Sequence, residues 1–221
     1  MFSFAKFSMF GIILCFATIT ATAFAIKIDL PKDTIIVEAE AGKQEKGVQI
    51  LDDKDASGKV TDHPRNVRTV HEINIPKAGD WYVWIRMFSP NGGADSYWIG
   101  IDKATPNPHD AAGGDFAVKI YSEVGDSVKL AGHALNVWYW DSGVKGEPPP
   151  NRFFKIKTAG KHTLWSKGRE PGTLLDQILL TPDKGFNAEQ ASKGNWIEIP
   201  KAVDAKAKLA VTWGRIKAVS E

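Results

Sequence analysis

Apolar and polar residues alternate with period two through most of the chain between Thr34 and Asp183, the pattern of half-buried strands. "TIIVEAEAG" (Thr34 to Gly42) puts Ile35, Val37 and Ala39 on one strand face and Ile36, Glu38 and Glu40 on the other. Two segments echo each other: "HEINIPKAGDWYVWIRM" (His71–Met87) and "RFFKIKTAGKHTLWSKG" (Arg152–Gly168). Each is an alternating run, then Ala-Gly, then a second run containing Trp. Gly accepts the positive φ a tight turn needs, so each segment predicts a hairpin. "DSYWIGID", "DFAVKIYS", "LNVWYWDS" and "TLLDQILLT" read as further strands. "SPNGGAD", "TPNPHDAAGGD" and "GVKGEPPPN" between them are rich in turn formers. No amphipathic helix of three turns is predicted before residue 184. Short strands punctuated by Gly and Pro predict an all-β protein, an antiparallel β-sandwich of jelly-roll type. In residues 184–221, richer in Ala and Lys, "WIEIP" and "KLAVTWGRIK" fit strands. This extension reads as an appendage packed on the sandwich or as an attachment or sorting segment; the first is the expectation.

The chain ends and composition place this sandwich. Residues 1–25 have the form of a secretory signal peptide: Lys6, an apolar run from Phe7 to Thr20, then "ATAFA" with cleavage sites after Ala25 or Ala23. The apolar run is short for a membrane span and "TITAT" follows it. The expectation is a secreted, cell-surface or periplasmic protein with no membrane insertion after cleavage. A domain then spans 26–183, with the extension at 184–221. Cys15, the only cysteine, lies in the removed segment, so stability has to come from a core or a bound metal. Of 28 Lys and Arg, the first 25 residues hold one, leaving 28 − 1 = 27 bases against 26 acids. This balance, without a basic block, gives no support to a nucleic-acid or membrane-surface partner. The five histidines are scattered without zinc-ligand spacing.

Three carboxylates interrupt apolar strands. Asp176 lies within "GTLLDQILLT", sharing a predicted face with Leu174, Ile178 and Leu180. A half-buried carboxylate among leucines is costly unless paired. If the N- and C-terminal strands pair, Glu38, Glu40 and Asp176 converge. With backbone carbonyls they make an oxygen cage suited to Ca²⁺, which turns mutual repulsion into shared attraction. The other reading is that Glu38 and Glu40 face solvent on an edge strand, paired with lysines.

An ordered set of segments extends the picture: "VEAEAG", "DASGKV", "INIPKAGDWYVWIRM", "DSYWIGID", "VWYWDSG" and "FFKIKTAGKHTLWSKGREPGTLLDQILLTPD". In this order the chain resembles carbohydrate-binding modules of families 6 and 35, galactose-binding-like β-sandwiches, over roughly Thr34 to Asp183. The resemblance implies a secreted, non-catalytic module that binds a polysaccharide or other glycan. It implies a structural calcium ion on Glu38, Glu40 and Asp176, and association with a carbohydrate-active enzyme. It also places glycan in loops at one end of the sandwich, where an aromatic face stacks on a pyranose and polar groups read its hydroxyls. The residues proposed there are Trp138, Trp140, Asp141, Arg169 and Glu170, with Trp140 the expected platform. Arg169 suits a uronate or sulfate; its other reading is a bridge to Glu170. "GKVTDHPRNVRTV" and "GREPGTLLD" depart from the family in lacking its usual aromatic and Asn. Two rival classes stand beside this one. A polysaccharide hydrolase or lyase would need carboxyls flanking the glycosidic bond, which neighbours on one strand do not provide. An adhesive or structural module would need no glycan at all.

Overall fold

The computed structural model describes residues 25–102, 117–121, 135–143 and 152–199. The predicted signal segment up to residue 24, the "TPNPHDAAGGD" loop, nearly all of "GVKGEPPPN" and the strand expected at "KLAVTWGRIK" lie outside them. Twelve strands are present: β1 (Ile35–Glu38), β2 (Lys43–Gln44), β3 (Gln49–Asp52), β4 (Lys59–Asp62), β5 (Arg68–Ile75), β6 (Gly79–Phe88), β7 (Ser96–Ile101), β8 (Ala117–Tyr121), β9 (Trp138–Asp141), β10 (Phe153–Ile156), β11 (Gly160–Gly168) and β12 (Leu174–Thr181). One short helix, α1 (Ala188–Ser192), follows; the Asn187 side chain caps it by accepting from the Gln190 N–H.

The strands form an antiparallel β-sandwich. The seven-stranded sheet runs β10-β6-β12-β4-β3, with β1 added to β12 and β9 to β6; the five-stranded sheet runs β2-β5-β11-β7-β8. The period-two pattern sorts the side chains as expected. Ile73, Ile75, Val83, Ile85, Ile99 and Leu164 point into the space between the sheets. Ile35, Val37 and Ala39 join them, while Ile36 packs on the opposite face.

The two echoing segments are not hairpins. β5 and β6 belong to different sheets, as do β10 and β11. Each Ala-Gly marks an arch crossing the roughly 10 Å between sheets, with Gly79 at φ 138° and Gly160 at φ 124°. The echo has a structural meaning nonetheless. β6 pairs with β10, and β5 pairs with β11 from Ile75 opposite Gly160 to Arg68 opposite Lys167. The two arches therefore stack antiparallel, one strand of each in each sheet. A two-residue turn would have kept both strands in one sheet; the longer link leaves them free to separate.

A second layer covers the outer face of the seven-stranded sheet. Trp84, Trp140 and Leu179 are fully buried there against Ala188 and Ile197, with Ile28, Leu30 and Phe186 at the margin. Ile26 and Ile197 pair side by side in a parallel bridge. Residues 26–30 and 186–197 thus pack together on this face. Burying each large apolar side chain contributes on the order of 3 kcal/mol, which this layer adds without a disulfide.

Candidate functional site

β1 pairs with β12, Glu38 opposite Gln177, and this register brings two of the three predicted carboxylates, Glu38 and Asp176, to one hydroxyl. Two local details differ from expectation. β1 ends at Glu38 and Glu40 sits in a 3-10 turn, Ala39–Ala41. The turn, not strand alternation, carries its carboxylate to the cluster. β12 has a bulge between Leu175 and Gln177, which reverses the side-chain phase. Leu175 rather than Leu174 therefore joins Ile178 and Leu180 in the core. Asp176, fully buried, is turned away from them toward Glu38 and β6.

There it meets Arg86, the one charged residue in the apolar part of β6. Arg86 Nη1 donates to Asp176 Oδ2 at 2.6 Å, and both side chains are 0% exposed. Arg86 Nη2 donates to the Asp55 carbonyl at 3.0 Å and Nε to the Gly194 carbonyl at 2.9 Å. Burial pulls the guanidinium below its usual range while Asp176 opposes that shift. A guanidinium keeps its charge even so. On the other side, the Ser57 N–H donates to Asp176 Oδ1 at 3.0 Å. Ser57 Oγ lies 2.6 Å from both Asp176 Oδ1 and Glu38 Oε2. Gln177 Nε2 donates to Glu38 Oε1 at 3.0 Å.

The cluster holds more negative charge than Arg86 balances. A serine hydroxyl has one proton and serves one acceptor at a time; two carboxylate oxygens at 2.6 Å ask for two. Burial raises the Glu38 carboxyl above its usual range, and Asp176 adds to that shift against the hydrogen bonds from Ser57 and Gln177. Glu40 is likewise raised, first by burial and further by Glu38 and Asp176, and its Oε2 is buried without a hydrogen-bond partner. A proton on Glu38 would satisfy the second Ser57 contact. A hard cation would satisfy that contact and the Glu40 oxygen together, and the donors are all oxygen, as Ca²⁺ prefers. Among the described residues no group of three or more His, Cys, Asp and Glu stands at metal-holding spacing. The donor chemistry fits the ion, whereas the present spacing is that of a hydrogen-bonded cluster closed on Ser57. A cleft of about 520 Å³ bounded by Glu38, Gly42, Val70 and His71 lies beside it.

The residues expected to bind glycan are divided. Trp138 and Trp140 share the outer face of β9, and Tyr139 takes the inner face. Trp140 is not a platform: it is 0% exposed beneath the C-terminal segment. Its N–H donates to Glu189 Oε2 at 2.8 Å and its Nε1 to the Asn195 carbonyl at 2.9 Å. A ring covered on both sides offers no face to a sugar. Asp141, 2% exposed, is likewise unable to read a solvent-borne hydroxyl. Trp138 is only half-buried; its ring lies 5.6 Å from that of Phe88 and 4.9 Å over the Arg86 guanidinium. Arg169 and Glu170 form an ion pair. Both bond Ser96 Oγ, Glu170 at 2.7 Å and Arg169 at 3.1 Å, with Asp95 3.9 Å from the guanidinium. The bridging reading of Arg169 is thus realised, although 32% of its side chain stays exposed. These two residues attach to the start of β7 in the five-stranded sheet, whereas Trp140 and Asp141 lie in the seven-stranded one.

Sequence reasoning passed over Arg86, Ser57 and Gln177. Arg86 carried a visible signal, because a lone cation in an apolar strand has the same cost as Asp176 and the two costs cancel only if they meet.

No protein-family model matches the chain, and no curated protein matches it. Similar solved structures are found. The C-terminal family 6 carbohydrate-binding module of a marine laminarinase from Zobellia galactanivorans is 15% identical, with TM-score 0.42 over 67% of this chain and 98% of that one. A carbohydrate-binding module of Cellvibrio mixtus lichenase 5A, in complex with cellotriose, is 19% identical, with TM-score 0.42 over 66% and 95%. A family 26 β-(1,4)-mannanase with a family 35 module from Podospora anserina is 13% identical, with TM-score 0.47 over 72% of this chain and 29% of that one.

Proposed function

We propose that this protein is an exported, non-catalytic carbohydrate-binding module that holds a structural calcium ion and acts beside a carbohydrate-active enzyme. The observation that carries the reading is the meeting of Glu38 and Asp176 at Ser57. The resemblance in sequence assigns Glu38, Glu40 and Asp176 to one ion; in support, the β1–β12 register brings Glu38 and Asp176 to one Ser57 hydroxyl although Asp176 is over a hundred residues away in the chain, and both act through charge on Glu40. In this reading the ion takes Glu38, Glu40 and Asp176 as ligands and ties β1, the Asp53–Gly58 loop and β12 together. Its part is structural: it replaces a proton and holds the ends of the sandwich. Glycan is met at the half-buried Trp138, while Arg169 stays in its bridge to Glu170 and Ser96.

The polysaccharide-degrading alternative places two carboxyls across a cleft, but here Glu38 and Asp176 each lie 2.6 Å from one Ser57 hydroxyl. A glycan array probed with the purified chain, run beside a reducing-sugar release assay, tests the reading. Binding without release is expected. Release of reducing sugar, or an array with no bound glycan, overturns it.

A further inference from the structure

We propose that the C-terminal segment contributes Trp196 to a two-indole platform with Trp138, and that this platform takes a neutral polysaccharide of pyranose units with equatorial hydroxyls. The inference rests on the carbohydrate-binding reading and locates its contact surface. Arg86 organises both rings: its guanidinium carbon lies 4.9 Å over Trp138 and 5.8 Å over Trp196. The guanidinium is itself fixed by Asp176, the Asp55 carbonyl and the Gly194 carbonyl. Two indoles are thus held by cation–π contacts to one immobile group, so little rotamer freedom remains to be lost when a ligand binds.

The turn that delivers Trp196 is built for this approach. Lys193 adopts a left-handed conformation at φ 54° and Gly194 a positive φ of 76°. A Cβ at Gly194 would stand 3.1 Å from the Trp138 carbonyl, so the turn comes against β9 only because the residue is glycine. Gln177 then holds the strand beyond, accepting from the Ile197 N–H and donating to its carbonyl, each at 2.9 Å.

Both rings are half-buried. Trp138 also has the Phe88 ring 5.6 Å away, so the surface it offers is what Arg86 and Phe88 leave uncovered. Neither indole N–H is paired among the described residues or buried without a partner, and an indole N–H is a donor that a sugar hydroxyl can accept from. The ligand class follows from charge and shape. Arg86 is 0% exposed and matched by Asp176, so it gives an acidic group nothing to pair with. Flat apolar rings with a polar edge suit the axial C–H face of an all-equatorial pyranose.

The test uses the full chain with cellohexaose as probe and a polygalacturonate oligomer as the acidic contrast, read by calorimetric titration, with a thermal melt for every variant. Trp196→Ala and Trp138→Ala are each expected to weaken cellohexaose binding about tenfold, the factor implied by losing one stacking face of roughly 50 Å². If Trp196→Ala melts early, Trp196→Leu keeps the bulk without the flat face and decides in its place. Wild-type affinity in the folded Trp196 variant overturns the platform and leaves the carbohydrate-binding reading standing. Binding of polygalacturonate but not cellohexaose overturns the ligand class alone. No binding of any arrayed glycan by the wild type overturns both.

Discussion

Lowering the pH from 7 to 5 is expected to destabilise this protein through two histidines inside the sandwich. His63 is 0% exposed and His71 6%. His63 Nε2 meets Thr69 Oγ1 at 2.9 Å and its Nδ1 meets the Tyr97 hydroxyl at 3.3 Å. His71 Nε2 is buried without a partner. Burial lowers His71 to about 4, and burial together with the neighbouring His71 lowers His63 to about 4. A folded value below the ordinary 6.5 means that the unfolded chain binds protons first. Stability is therefore whole above pH 6.5 and falls as the pH drops toward 4, where the loss levels off. Each histidine can remove 1.36 × (6.5 − 4), or about 3 kcal/mol, in all. At pH 5 the loss is 1.36 × 1.5, about 2 kcal/mol each and about 4 kcal/mol together. For a domain of this size that lowers the melting temperature by roughly 8–16 °C. Glu38 and Glu40 act in the opposite sense. Their raised values mean that the folded state takes up protons before the unfolded one, which offsets part of the loss. Thermal melts at pH 7.5, 6.5, 5.5 and 5.0 separate the two effects when wild type is compared with a His63→Gln/His71→Gln double variant. The double variant should start lower and lose little more on acidification. A wild-type melting temperature that moves by less than about 3 °C over this range, or a double variant with the wild-type slope, would refute the reasoning.

Calcium and Trp140 give two further tests. Chelation should lower the melting temperature, since an ion at a hundredfold excess over its Kd contributes about 2.7 kcal/mol; Glu40→Gln should abolish that response, because Glu40 Oε2 has no other partner. A chelator-insensitive wild type sinks the calcium reading, whereas Asp176→Ala is the poorer probe because it also strands the Arg86 charge. Trp140→Ala should cost roughly 3–5 kcal/mol in denaturant titration, as for any fully buried aromatic; a loss of glycan affinity without a loss of stability would return Trp140 to the binding surface.

How far the sequence carries depends on whether a feature is periodic or contextual. The alternation of Ile73 and Ile75, or of Val83, Ile85 and Met87, is a local consequence of the pleat and appears unchanged in the core. Pairing of the terminal strands was a condition taken from how sandwiches commonly close, and once β1 and β12 pair, Glu38 and Asp176 converge. What failed is what a period-two reading cannot carry. The bulge beside Asp176 inserts one residue and reverses the phase, so Leu174 and Leu175 exchange places. Ala-Gly permits a positive φ without saying whether the next strand returns to the same sheet or crosses to the other. The fate of Trp140 depended on residues nearly fifty positions later. Its ring is buried because Ala188, Asn195 and Ile197 come back over it, and nothing within "VWYWDSG" encodes that cover.

The covering segment changes what the outer face can do. Without it, Trp84, Trp140 and the Arg86–Asp176 pair would lie at the surface of the seven-stranded sheet. An ion pair in water contributes little, and two adjacent exposed indoles invite association. With it, Arg86 has three fixed hydrogen-bond partners, one of them Gly194 in the segment itself. Gln177 bonds both Glu38 and the Ile197 backbone. The carboxylate cluster and the C-terminal segment are therefore joined through two side chains, Arg86 and Gln177. Loss of either partner would leave a buried polar group unpaired at a cost of about 1–3 kcal/mol for a neutral group and more for a charged one. That penalty ties residues 194–197 to the strands they cover.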